Sequence, residues 1–273
     1  MNVTDITALT SLPLIDTHCH IEADDFDADR EEMLRRMQAA RVVAGVVIGC
    51  DEEDYPKLTA LLDAHPGVLF GAWGLHPEYE NVEETTPDTI VHHCSHPGIV
   101  AVGETGLDFY WCKEPLDWQR NRFRMHIEAA RHLGKPLVVH ARDAEPEALD
   151  ILEAMHAGDM GFVLHCYSHN LDTARRAVAA GGLVSFTGSL TFKNNHALRE
   201  VCAGLSLTDF MLETDSPYMA PVPLRGKRCE PTMVPYIARV AAEVKDVPID
   251  EVARVTTATA IRFFGLPADI AQR

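Results

Sequence analysis

Short apolar runs rich in β-branched residues recur along the chain, and each is followed by a longer segment whose apolar residues repeat at helical spacing. The runs predict strands over residues 12–18, 42–49, 68–74, 99–103, 136–140, 161–165, 183–187 and 210–213. The intervening segments predict helices near 27–40, 52–65, 86–95, 116–133, 145–156, 170–180, 194–203 and 231–244, with 250–264 as one or two terminal helices. Most of the runs are apolar on both faces, as in a parallel sheet covered by helices. Eight strands, each followed by a helix, is the count of a single (β/α)8 TIM barrel. An open doubly wound sheet is the runner-up, but it usually carries a Gly-rich first turn, and here that position is held by His18-Cys19-His20. No repeat, low-complexity tract or Gly/Ser linker divides the chain, so residues 1–273 read as one domain.

Charge narrows the choice of partner. With 24 Lys+Arg against 41 Asp+Glu the formal charge is −17. This argues against a protein that coats nucleic acid through a broad basic face. A small anionic group held in one metal-lined pocket is still allowed, because bound divalent ions reverse the local field. Seven cysteines are scattered without a C-x-x-C pair, which fits a reducing cytosol better than a disulfide framework. Residues 1–11 show no signal peptide, and no apolar run is long enough to span a bilayer. A cytoplasmic protein with no membrane association and no obligate protein partner is the expectation.

Candidate chemistry lies at the ends of the predicted strands. Asp16, His18 and His20 share one face of the first strand by its two-residue period, and two such imidazoles can reach one metal ion. Taken alone, the His-x-His pair weighs about evenly between a metal site and ordinary core histidines. His140 and His165 each end a further apolar run, and the recurrence weakens the core reading for all of them. Glu104 follows a β-branched run and offers two oxygens that can bridge two cations. Asp215 follows the last run, ahead of Ser216-Pro217, and shares a face with Glu213 by the same period. His76, in a Trp-Gly-Leu-His-Pro loop, is a ligand, a donor to substrate or simply a polar loop residue. Arg142, two residues past His140, suits a phosphate or carboxylate. Lys227 and Arg228 form a cationic cluster near Asp215 that can hold an anion. The arginines of 117–133 mostly line a solvated helix face, and His92, His93 and His96 lie on a polar, solvated segment.

The motifs 15–20 (IDTHCH), 73–77 (WGLHP), 102–108 (VGETGLD), 139–140 (VH), 164–166 (LHC) and 212–218 (LETDSPY) together resemble the TatD family of metal-dependent hydrolases, within the amidohydrolase-type barrels. The resemblance covers nearly the whole chain. It implies two divalent ions (Mg, Mn or Zn), with His18, His20 and Asp215 on one, His140 and His165 on the other, and Glu104 between them. It further implies substrate roles for His76, Arg142, Lys227 and Arg228. Characterised members include Mg-dependent 3′–5′ exonucleases acting on single-stranded DNA. Cys229 stands where relatives often carry Asn, a departure in the substrate loop but not among the ligands. The reaction expected is metal-assisted phosphodiester hydrolysis. Asp215 would take the proton of the attacking water, and His76 would protonate the leaving oxygen. Nucleic acid would then be a substrate, met at single-stranded ends, and not a stable partner. The alternatives are an amide, lactone or phosphotriester hydrolase of the same barrel class, and a metal-bound scaffold without catalysis. The absence of Lys from 100–108 weighs against the subclass that bridges its metals with a carboxylated Lys.

Overall fold

The structure is a computed structural model that describes residues 9–114 and 116–273. The reading of 1–11 therefore lies largely outside the described residues. The strands are β1 (Leu14–Cys19), β2 (Val42–Gly49), β3 (Leu69–Trp73), β4 (Ile99–Asp108), β5 (Leu137–Arg142), β6 (Phe162–Leu164), β7 (Gly182–Phe186) and β8 (Phe210–Leu212). They form one sheet in chain order, every neighbouring pair parallel. Between them run α1 (Arg30–Ala39), α2 (Asp54–Ala64), α3 (Pro87–Cys94), α4 (Asp117–Leu133), α5 (Glu145–Ala154), α6 (Leu171–Ala179) and α7 (His196–Gly204). After β8 come α8 (Val234–Lys245) and α9 (Ile249–Phe264), the latter one continuous helix. Among the described residues no helix is long and apolar enough to cross a membrane.

The barrel closes between its last strand and its first, just past the end of β8. The Asp215 amide donates to the His18 carbonyl at 2.9 Å, and the His20 amide to the Ser216 carbonyl at 2.7 Å. Three of the four residues that make the seam, His18, His20 and Asp215, also carry candidate chemistry on their side chains.

Alternation along the strands sorts residues into two apolar layers. Leu137, Val139, Phe162, Leu164, Phe210 and Leu212 face the helices. Val138, Val163 and Met211 belong to a separate interior cluster with Ile15, Ala44, Val46, Ile48 and Ala72. Phe264, Leu266 and Ile270, at and beyond the end of α9, join that interior cluster. Thr257 of α9 also donates to the Pro13 carbonyl at 2.8 Å, just ahead of β1. The N-terminal end of the barrel is therefore filled by apolar side chains, and polar groups gather at the C-terminal mouth, where (β/α)8 enzymes build their sites. Parity continues past Val138 and Val163: His140 and His165 are the next inward positions.

Two boundaries differ from expectation in ways that matter. β4 does not stop at Gly103; it runs on to Asp108, and Thr105–Asp108 pair with Val139–Arg142 of β5. Glu104 is therefore inside a strand, at a register shift between Val102 and Thr105. Gly103 and Gly106 permit this. Their φ values are 135° and 142°, and a Cβ would lie 2.2 Å from the Val138 carbonyl oxygen at one and 2.0 Å from that of His140 at the other. Only glycine accepts both the backbone angle and the approach. The second difference is that β8 ends at Leu212 and Asp215 has φ 56°. The two-residue period does not reach Glu213 and Asp215, and they do not share a face by it.

Gly106→Ala tests the β4–β5 approach. The added methyl would force the strands apart and strain φ, so urea unfolding should show a loss of roughly 2–4 kcal/mol. An unchanged midpoint and slope would mean the close approach is dispensable.

Candidate metal centre

Glu104 is the hub of the mouth, and it is 2 % exposed. Its Oε1 lies 2.5 Å from His165 Nε2, 2.8 Å from His140 Nδ1 and 3.2 Å from His76 Nε2. Its Oε2 lies 3.2 Å from His18 Nε2 and 3.9 Å from His20 Nε2. Asp215 Oδ1 stands 3.7 Å from His18 Nε2 and 3.5 Å from His20 Nε2. The structure thus brings His18, His20, His76, Glu104, His140, His165 and Asp215 together, with one Glu104 oxygen turned to each histidine set.

The donor chemistry fits divalent ions. His18 Nε2 faces His20 Nε2 at 3.2 Å, and His140 Nδ1 faces His165 Nε2 at 3.3 Å. Nitrogens bound to one ion at about 2.0–2.1 Å stand about 2.9–3.4 Å apart, which is this spacing. Two of the remaining ring nitrogens are oriented as metal-binding imidazoles usually are, toward a carbonyl or carboxylate, while His18 Nδ1 is buried without a hydrogen-bond partner. His140 Nε2 is 3.0 Å from Asp108 Oδ2, and His20 Nδ1 is 3.3 Å from the Ile48 carbonyl. His165 Nδ1 lies 3.6 Å from Glu213 Oε1, beyond hydrogen-bond length, and that oxygen accepts the Cys166 amide at 2.6 Å. The groups His18–His20–Asp215 and His18–Glu104–His165 converge closely enough to share an ion.

Electrostatics point the same way. Burial alone would raise the Glu104 carboxyl, but the imidazoles of His165, His76 and His18 outweigh it and hold Glu104 well below the usual carboxylate range. Burial would also raise Asp215, yet the hydrogen bond with His20 and the neighbouring rings keep it ionised. His18 is lowered by burial and by His165, whose ring stacks on it at 4.0 Å. Rings packed this closely cannot all carry protons, and a divalent ion satisfies the carboxylates without that conflict. Asp16, on the same strand, is not part of the centre. Thr214 donates to both its oxygens, from its amide and its hydroxyl, and burial pushes the carboxyl up to about 7.

Behind the mouth, α4 holds two loops in place. His126 Nε2 accepts the Leu75 amide at 3.0 Å, so its Nδ1–H donates to the Arg122 carbonyl at 2.8 Å. Gln119 accepts the Asp108 amide at 3.0 Å and donates to the Pro77 carbonyl at 2.8 Å. Arg122 donates to the His76 carbonyl at 2.9 Å and pairs with Glu84. Arg122 is buried, which corrects the solvated-face reading for this arginine: helical spacing locates a stripe but not a loop folded over it. His93 is likewise not solvated; it stacks on Tyr55 at 3.7 Å. His76 Nδ1 accepts the Glu78 amide at 3.1 Å, which leaves the proton on Nε2, facing Glu104.

The cationic candidates divide. Arg142 is exposed at the end of β5, its guanidinium 4.1 Å from the centre of the Tyr110 ring. Lys227 is exposed on the loop after β8. Arg228 instead pairs with Asp29 at 2.8 Å and Glu230 at 2.9 Å and covers Phe26. That guanidinium joins the loop to the start of α1, where the neighbouring carboxylates outcompete an outside anion, so Arg228 is a tether in this structure and not an anion site. Cys229 is fully buried under the same loop. Asp108, Glu213, Gln119 and His126 are site-supporting residues that the strand-end pattern does not mark. Asp108 was findable, since 104, 106 and 108 share parity once the strand is allowed to continue.

Three measurements on purified variants check the centre. A centre of two ions divided by Glu104 predicts that Glu104→Gln loses both, His140→Ala loses one, and Asp108→Asn weakens binding at His140 about 10–100-fold. Loss of a single ion in every variant would remove the bridging role of Glu104. His126 gives a separate test by pH. Burial lowers its pKa from 6.5 to about 4, so the unfolded chain binds the proton more readily. Its contribution is complete above about pH 6.5 and fades as pH falls toward 4, by about 3 kcal/mol. His126→Ala should cost about 2–4 kcal/mol at pH 7, because it leaves the Leu75 amide unpaired and opens a cavity. The gap from wild type should shrink toward pH 4; a constant gap would count against a neutral His126.

Comparison with known proteins agrees with the geometry. The family model described as TatD related DNase matches residues 15–265. An uncharacterized metal-dependent hydrolase of Bacillus subtilis, YabD, is 35% identical over 253 residues, spanning 92% of this chain and 98% of its own. A protein of Erwinia billingiae named 3′-5′ ssDNA/RNA exonuclease TatD is 27% identical, over 93% of this chain and 100% of its own. The crystal structure of YjjV, a TatD homologue from Escherichia coli K12, matches with a TM-score of 0.87 at 27% identity, over 93% of this chain and 98% of that one. The matched span contains every strand but the first residue of β1 and carries all six predicted donors, and the chain belongs to the TatD family of metal-dependent hydrolases.

Proposed function

We propose that this hydrolase cleaves phosphodiesters, removing nucleotides from the 3′ ends of single-stranded nucleic acid with two divalent ions (Mg, Mn or Zn) resident at the mouth. The observation that carries the reading is the division of Glu104, one oxygen toward His140 and His165 and the other toward His18 and His20. His18, His20 and Asp215 would hold one ion, His140 and His165 the other. Ions so placed would acidify a water and offset charge on a phosphoryl oxygen.

The chain's own residues supply the rest. Asp215 is kept ionised inside the cluster and can accept the proton of the attacking water. His76 presents a neutral Nε2–H, because burial lowers its pKa and Glu78 occupies Nδ1. That N–H suits hydrogen bonding to the leaving oxygen. Arg142 brings a guanidinium to the end of β5, two residues beyond His140, and suits a non-bridging phosphate oxygen. Lys227 offers a second, looser contact. End-directed action is supported by the charge of −17, which disfavours long runs of phosphate contacts. It is supported too by the name of the Erwinia relative.

A gel time course on end-labelled linear and closed-circular single strands, across a salt series, tests the reading. Linear strands should shorten from the 3′ end while circles persist. Contact with ~2–3 phosphates gives a log–log salt slope of about −1.4 to −2.1. Arg142→Ala should lower kcat about tenfold or more, Lys227→Ala should mainly raise KM, and Arg228→Ala should act on stability. Efficient cutting of circles would sink end-directed action. If metal-loaded enzyme cuts neither, a small-molecule amide, lactone or phosphotriester hydrolase takes its place.

A further inference from the structure

Among the described residues five large apolar side chains are exposed, and three of them are aromatic. Trp111 is 61% exposed, Tyr110 46% and Tyr218 63%. Tyr110 and Trp111 stand in the turn after β4, and Tyr218 follows β8. In a barrel whose strands are ordered β1 to β8, β4 and β8 lie on opposite sides, so the aromatics flank the Glu104 cluster from both. Tyr218 approaches His20 with ring centres 6.4 Å apart.

The turn that carries Tyr110 and Trp111 is held rigidly although its rings are bare. Asp108 Oδ1 accepts the Trp111 amide at 2.7 Å, and the other oxygen of the same carboxylate meets His140 Nε2 at 3.0 Å. Lys113 Nζ donates to the carbonyls of Phe109 at 2.7 Å and Tyr110 at 2.8 Å. Cys112 is buried against the Pro77 carbonyl. Arg142 lies over Tyr110 at 4.1 Å and 5.5 Å from the Trp111 ring centre, and the two rings meet edge to face at 4.7 Å. One carboxylate thus sets both a candidate ligand histidine and the aromatic turn. Exposed rings add little to folding, while a fixed ring backed by a guanidinium is suited to stacking on a flat heteroaromatic group beside a phosphate.

Resting on the nuclease reading above, we infer that Trp111, supported by Tyr110 and Arg142, is a stacking platform for an unpaired base next to the scissile phosphate, with Tyr218 as the opposing wall. The platform requires a base free of its partner, and so selects single strands over duplex ends. It reads the flat face of a base, so all four bases should be accepted with modest preference.

The test crosses enzyme variants with substrates that contain or lack the stacked base. On an ordinary single strand, Trp111→Ala should raise KM about tenfold or more with kcat changed less than threefold, and Trp111→Phe should restore most of the loss. A strand with abasic sites in its last two 3′ positions should show the same rise with wild type, and Trp111→Ala should add nothing further. Binding is read separately by tryptophan fluorescence. Trp73 is fully buried and Trp118 is half-buried under Arg122, so the part of the quenching by an oligonucleotide that disappears in Trp111→Phe reports on Trp111. Strands that are cut with an unchanged KM in Trp111→Ala, or an equal loss on abasic strands, would overturn the platform and leave the nuclease reading intact. Strands that quench Trp111 but are not cut would keep the platform and overturn the nuclease. Neither cutting nor quenching would overturn both.

Discussion

A carboxylate buried among five imidazoles is the constraint on which this mouth depends. Glu104 is 2 % exposed, and each of its oxygens faces a different histidine set. Leaving such a group ionised in the interior is costly unless cations neutralise it. Protons on the rings can do so only in part, because His18 and His165 stack and His18 and His20 point their Nε2 atoms at each other. Divalent charge resolves the conflict with fewer particles. The same demand shapes the backbone. Glu104 can meet His140 only if β4 comes unusually near β5, and the glycines on either side of the Glu104-Thr105 pair make that approach possible.

The strand ends carrying histidine were legible because the signal is local. An apolar run fixes parity, and parity alone sends His140 and His165 inward beside Val138 and Val163. The barrel count was legible for the same reason. Glu104 is legible as a donor but not as a residue inside a strand, since glycine ordinarily weakens a strand and the apolar run stops at Gly103. Glu213 and Asp215 could not be assigned by period, because a left-handed residue resets the direction of the chain. Arg228 was read as an anion site from its neighbours in sequence. Its true partners, Asp29 and Glu230, include one that is distant in the chain and invisible to a local reading.

Helix α4 shows how a face that reads as ordinary can carry the site indirectly. Gln119, Arg122 and His126 reach through buried contacts to Asp108, His76, Pro77 and Leu75. None touches the donor cluster through its own side chain. Their effect is to fix two loops, one presenting His76 and the other beginning at Asp108. A loop fixed from behind keeps the side chain it presents oriented without occupying space in the mouth. This division of labour explains why buried polar groups are dense on α4, where a solvated stripe was expected.

The acidity of the chain and the anionic substrate proposed for it are reconciled by where positive charge is spent. Arg36, Arg120, Arg122, Arg176 and Arg228 are each matched with carboxylates. Their charge is used up within the protein and projects little beyond it. Arg142 is held instead by the rings of Tyr110 and Trp111, which orient a guanidinium without cancelling its charge. On the proposed reading, positive potential at the mouth comes from ions held at Glu104 and from the few side chains on its rim. A field so short in range gives weak capture of long polyanions but strong stabilisation of one phosphate already seated at the mouth. On that reading the aromatic rim would supply by contact what long-range attraction does not, and a site so built would favour the free end of a strand over its interior.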